Sequence, residues 1–251
     1  MNSRNITFAT VILICATFFV CWAKLPSADP FTYFLFADDR NLFGIPNSLD
    51  VVSNFAFFLV GVLGIRNVFK TRRLHSKVIF SFGIILSIAS LLVAIGSAYF
   101  HLNPNPVSLI WDRLPMTLGF ATIAAMVITD RVDPQMGVWI FSILLPIGLL
   151  SVIGYGNSWV TLKLYIAFQT GTIAFLALAI IFLKQQNLPN SLLRASVILY
   201  VIAKITEKLD RNIFNIATFI SGHTLKHLFA AAAIYIILSF YKSKNSPDVI
   251  I

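Results

Sequence analysis

Charge is what this chain has least of. Of its 251 residues only 12% are charged, while 58% are hydrophobic, and the mean hydropathy is +0.84. A soluble domain of this size needs more polar residues to cover its surface, so a polytopic membrane protein is expected and a soluble enzyme is excluded. Cysteine is nearly absent. Cys15 and Cys21 both fall in the first apolar stretch, where they read as small buried hydrophobes; a disulfide scaffold is excluded and no redox compartment is marked. Acidic residues number 10 against 19 Lys and Arg. In a soluble protein that excess would suggest nucleic acid, but the basic residues gather in short loops, so membrane topology explains it and no nucleic-acid partner is expected. Low-complexity tracts and long linkers are also missing, which leaves a single bundle as the simplest organisation.

What is present is a series of apolar runs long enough to cross a bilayer, which takes roughly 17–25 residues. Eight are expected, at Ile6–Ala23, Val51–Phe69, Val78–Phe100, Ser108–Ile128, Val138–Ile153, Leu164–Leu183, Leu192–Leu209 and His223–Phe240. The fifth is short and contains Pro146; the seventh runs into Lys204, Glu207, Lys208, Asp210 and Arg211. The first could be a signal peptide, but Cys21-Trp-Ala-Lys24 makes a poor cleavage site, so a retained helix is favoured. Lys70, Arg72, Arg73 and Lys77 form the strongest basic cluster, and their loop is expected to face the cytoplasm. Counting outward, Arg131, Lys184, Arg194, Lys242 and Lys244 fall on that side. The opposite face receives the segment Lys24–Asp50, the turn Asn103–Pro106, the loop Gly154–Trp159 and the segment Asn212–Gly222.

The chain has four histidines, and burying an unpartnered imidazole in apolar sequence is costly. His101 lies at the exit of the third run, and His223 and His227 open the eighth, all on the outer side with Asp112 at the entrance of the fourth. Ser97 and His101, like His223 and His227, are spaced so that both side chains share one helix face. Three neutral imidazoles bind zinc well and leave a fourth position for water, whose pKa zinc lowers toward ~7. A carboxylate such as Asp112 can take a proton from that water and deliver it to a leaving amine. A hydroxyl such as Ser97 can hold the water or donate to a developing oxyanion. These are the parts of a metal-dependent amide or ester hydrolase. Blander readings stand beside them. Asp112 could pair with Arg113 or cap its own helix, Ser97 could back-bond to a carbonyl, and His75, in the basic loop, is expected to be solvated.

At Ser97-x-x-x-His101, Asp112-Arg-Leu-Pro-Met116 and His223-x-x-x-His227 the chain resembles the alkaline ceramidase family, within the group of seven-helix membrane hydrolases that includes the adiponectin/progestin-type receptors. Val52-Ser-Asn54 resembles the family's first core helix, and Glu207 and Asp210 resemble an acidic pair before its last helix. The likeness spans roughly Asp38 to Tyr241. It implies an all-α transmembrane bundle, with an extra N-terminal helix (residues 1–24) preceding a seven-helix core (residues 25–251). It further implies that His101, His223 and His227 bind zinc, that Asp112 is the acid/base, and that Ser97 orients water or stabilises the oxyanion. The implied substrate is a membrane lipid, ceramide or a related N-acyl lipid, cleaved to a fatty acid and a sphingoid-type amine.

The sequence also departs from that family. Arg113 stands where an acidic residue is common. The family's calcium-binding Asp-Trp-x-Glu pattern is missing, although Asp38, Asp39, Asn41, Asn47 and Asp50 could bind a hard cation such as Ca²⁺. Compactness and the altered calcium segment lean toward a bacterial inner membrane, with the site toward its outer face. Three other functions compete: hydrolysis of another lipid acyl bond, a receptor-like protein with structural zinc, and a transporter. The polar residues gather near one face and do not cross the membrane, which argues against the last.

Overall fold

Serine, asparagine, aspartate and proline set where the long helices begin. Ser76 accepts from the Ile79 amide, Asp133 from that of Met136, and Ser221 from that of Thr224. Asn105 closes a capping box with Ser108 just ahead of Pro106. Each cap satisfies amides that the first helical turn leaves unpaired. The structure, a computed structural model, describes residues 17–24, 34–157 and 161–242. Among them every regular element is helical: α1 (Ser48–Ser53), α2 (Phe55–Lys70), α3 (Lys77–Leu102), α4 (Pro106–Arg131), α5 (Pro134–Gly156), α6 (Lys163–Phe182), α7 (Asn190–Lys208), α8 (Asp210–Ala217) and α9 (Gly222–Leu238). No strand forms among the described residues.

Five stretches are long and apolar enough to cross a membrane: Ser48–Lys70, Lys77–Leu102, Pro134–Gly156, Lys163–Phe182 and Gly222–Tyr241. The protein therefore has the helices of a multi-pass membrane protein. The expected fourth and seventh runs are also long helices, α4 with 26 residues and α7 with 19, but they are more polar. For α4 the reason is position. Residues 119–129 are buried without a break, because α3, α5 and α6 all pack against it, so it meets little lipid and can carry Asp112, Arg113, Thr117 and Thr122. The fifth run proves longer than its apolar core suggested: α5 has 23 residues and continues through Pro146. The charged run straddles a helix break: Lys204, Glu207 and Lys208 end α7, Leu209 interrupts, and Asp210 and Arg211 open α8.

α9 packs against both α7 and α2 and so closes the bundle. Small residues face that contact, with Ala231 and Ala233 buried and the Ser196 hydroxyl donating to the Ala233 carbonyl at 3.0 Å. This closure brings the start of α9 to the end of α3. The expected N-terminal helix is described only for residues 17–24, which are helical; residues 6–16 and the region 25–33 lie outside the described residues, as do Ser158 and Trp159 of one expected loop. Phe18 packs on Phe168 of α6, with ring centroids 5.7 Å apart. At the opposite end of the bundle from His101, His75 is not solvated as expected. It is half-buried against the Phe240 and Tyr241 rings, 4.9 Å away in each case, and that burial pushes its pKa below the usual histidine value.

Candidate metal centre

The helix ends that carry the site are fixed by close backbone approach. A methyl group on Gly96 would lie 2.1 Å from the Trp111 carbonyl oxygen and 3.5 Å from the Asp112 amide nitrogen, so α3 and α4 can meet here only because residue 96 has no side chain. Pro115 lies four positions after Trp111 and has no N–H to give that carbonyl. The crossing sets Ser97 and Asp112 on facing helices. One turn on, His101 ends α3, and the Asn47 side-chain amide donates to its carbonyl at 2.8 Å. The start of α9 is held from two sides. Asp50 accepts from the Thr224 hydroxyl at 2.6 Å and the Ser221 hydroxyl at 3.2 Å, while Asp210 Oδ1 accepts from the His223 amide at 2.8 Å.

These constraints bring His101, His223 and His227 together. Their ring centroids are 4.8 Å apart for His101 and His223, and 5.0 Å for each other pair. One ligand atom from each falls within 4.8 Å of the others, and all three residues are buried. The donor set fits a metal ion on a further observation: His101 Nδ1 and His227 Nε2 are buried with no hydrogen-bond partner. An orphaned buried polar atom costs about 1–3 kcal/mol, and such atoms are rare unless something binds them. The other nitrogen of His227, Nδ1, lies 2.7 Å from the Ser53 hydroxyl, the kind of outer contact that orients a ligating imidazole. His223 Nε2 lies 2.6 Å from Lys226 Nζ, and Lys226 also donates to Glu207 at 3.3 Å. Three imidazoles suit several divalent transition metals, so geometry alone does not choose among them.

Ser97 and Asp112 fall at the same end of the bundle. Ser97 does not back-bond to its helix: its hydroxyl is buried with no hydrogen-bond partner, and so is Asp112 Oδ1. The second Asp112 oxygen pairs with Arg113 at 3.4 Å, the blander expectation, yet the first remains available. The proposed calcium segment looks different. Asp38 pairs with Arg40 at 2.6 Å, Asp50 Oδ1 accepts from Ser221 and Thr224 while its Oδ2 has no hydrogen-bond partner, and the Asn47 amide donates to the His101 carbonyl. Among the described residues only the three histidines form a cluster able to hold a metal.

Several residues of the site carry no assigned role from sequence. Ser53 is set by a local break: its hydroxyl and the Asn54 side-chain amide both donate to the Asp50 carbonyl, at 3.0 and 2.8 Å, where α1 gives way to α2. Phe36 packs edge-on against His101 and His223, at 4.8 and 5.0 Å, and covers them. Its segment is tied down by Asp210 Oδ2, which accepts from the Ala37 amide at 2.9 Å. Lys226 could have been noticed, because a lysine in an apolar helix marks a functional position by default. Beneath the histidines an apolar cavity runs between α4, α6, α7 and α9, lined at the top by His227, Arg113 and Glu207 and lower down by Phe120, Ile123 and Leu176. Along α7 it extends from Glu207 to Ser196, roughly 16 Å at the helical rise.

Replacing Ser53 with alanine is expected to leave the fold intact and weaken metal binding about 10–100-fold, the usual effect of removing an outer partner of a ligating histidine. Competition with a chromophoric chelator measures it; an unchanged affinity would mean that Ser53 does not orient His227. Compared with known proteins, the chain matches no protein-family model and no curated protein.

Proposed function

We propose that this protein is an integral-membrane, zinc-dependent amidohydrolase that cleaves the N-acyl bond of ceramide or a related lipid, adding water to give a fatty acid and a sphingoid-type amine. The observation that carries this reading is the gathering of orphaned buried atoms at one end of the bundle, His101 Nδ1, His227 Nε2, Asp112 Oδ1 and Ser97 Oγ among them. A closed structural site would satisfy its acid and hydroxyl groups with protein partners; a hydrolytic site keeps them for water and substrate.

His101, His223 and His227 would hold the ion. When bound, zinc supplies Lewis acidity and makes water nucleophilic at neutral pH. Asp112 takes the proton from the attacking water and returns it to the amine nitrogen as the C–N bond breaks. Ser97 donates to the carbonyl oxygen as charge develops there. The cavity beneath the site takes the acyl chain, and its apolar walls exclude water from the rest of the lipid. Phe36 shields the imidazoles from the aqueous side.

In this reading α2 to α7 and α9 form a seven-helix core with an additional N-terminal helix. The chain sits in a bacterial inner membrane with the basic loop Lys70–Lys77 in the cytoplasm and the metal centre toward the outer face, following the bias of Lys and Arg toward cytoplasmic loops. Metal analysis of the purified protein, together with release of fatty acid from N-acyl lipids, tests the proposal. Stoichiometric zinc with lipid-amide hydrolysis is expected. Metal-loaded protein that cleaves no lipid amide would leave a structural ion instead.

A further inference from the structure

Between the histidines and the apolar cavity lies a group of charges that the hydrolytic reaction does not use. Arg113, Lys204 and Lys226 line the cavity with Glu207. Arg113, Lys204 and Glu207 also line a second recess that reaches His223 and Phe36. Glu207 serves both lysines, and Asp112 serves Arg113. Arg113, Lys204 and Lys226 thus pair with two carboxylates, one of which is the proposed proton carrier, and Lys208 and Asp210 stand along the same recess. Arg113 is only 5% exposed and Lys226 only 9%. Burying cations is expensive unless opposite charge offsets them, the more so at membrane depth. A neutral lipid amide gives no reason for such a cluster where its headgroup must lie.

We infer that this cluster binds an anionic headgroup, so that the lipid cleaved is an N-acyl compound bearing a carboxylate or phosphate close to its amide. The inference rests on the amidohydrolase reading and narrows its substrate class. The placement is consistent along the whole cavity: apolar walls for the acyl chain below, cations above, histidines beside them. Arg113 is held in orientation by Asp112, by the Met116 sulfur at 3.7 Å and by the Tyr165 ring, 5.3 Å from its guanidinium carbon, which fixes its positive charge at the cavity wall. Lys204 stands at the rim with its side chain 38% exposed, where it can meet an arriving headgroup.

Calorimetric binding to the purified full chain in detergent tests this, with released fatty acid followed in the same samples. The probes are N-palmitoylglycine against its methyl ester, N-palmitoylphosphoethanolamine against N-palmitoylethanolamine, and N-acetylglycine, which has the anion without the chain. At least one anionic lipid is expected to bind about tenfold more tightly than its neutral counterpart, a difference of about 1.4 kcal/mol. Lys204→Gln is expected to remove most of that preference, and N-acetylglycine to bind far more weakly than the long-chain acid. Equal binding within both pairs overturns the inference. So does a preference untouched by Lys204→Gln, which would put the anion on the metal, or N-acetylglycine binding as well as the lipid, which would leave a small-anion site. Because binding is read separately from turnover, lack of hydrolysis would count against the amidohydrolase reading without deciding the headgroup question.

Discussion

Alanine at any one of His101, His223 or His227 is expected to strip the protein of bound metal and of activity together. Each supplies one nitrogen of a three-nitrogen set, and among the described residues no other histidine, cysteine or acid is grouped with them to take over. Two imidazoles hold an exchangeable ion poorly where three hold it well. Metal content after desalting should drop from about one ion per chain to a small fraction. Hydrolysis should fall by roughly a thousandfold or more, several kcal/mol of lost transition-state stabilisation at about 1.4 kcal/mol per factor of ten. His227→Ala is the most informative of the three, since it also leaves the Ser53 hydroxyl without its 2.7 Å partner. Thermal unfolding followed by circular dichroism separates ligand loss from loss of fold. A folded variant that retains a full equivalent of metal would remove the histidine from the centre.

Asp112→Asn should behave in the opposite way, keeping the metal while losing turnover. Asparagine preserves shape and one acceptor oxygen but cannot carry a proton between water and amine. General acid–base catalysis of this kind contributes about 10²–10⁴-fold, which is the expected fall in kcat. KM should change little, because the apolar cavity below provides most of the contact with the acyl chain. The substitution also replaces an ion pair with Arg113, so unfolding temperature and metal content belong in the same experiment. Undiminished hydrolysis by the metal-loaded variant would end the assignment of Asp112 as acid and base.

The histidine cluster was legible in the sequence for a physical reason. Imidazoles in apolar helices are costly, and counting helices between them puts His101, His223 and His227 at one end. Helix starts were legible too, through Ser76, Asn105, Asp133 and Ser221. Less could be read where long-range packing decides. The contact of Ser53 with His227 and that of Asp50 with Thr224 join residues 174 positions apart, and each depends on how α9 closes against α1 and α2. Hydropathy also underrated α5, because Pro146 does not end a helix that neighbours hold on both sides. It could not reveal that α4 is central, since its polar residues face protein, not lipid. His75 was misjudged for want of tertiary contacts: Phe240 and Tyr241, far along the chain, supply its surroundings.

The fork of Asp210 has a consequence for how anything enters. One oxygen fixes the helix that presents two of the imidazoles, and the other fixes the strap whose phenyl ring roofs them. Lifting the roof from the aqueous side therefore tugs on the same carboxylate that keeps the chelating helix in register. On the proposed function, a chain latched in this manner would do better to admit a lipid sideways from the bilayer, and to let only water and small products use the door above.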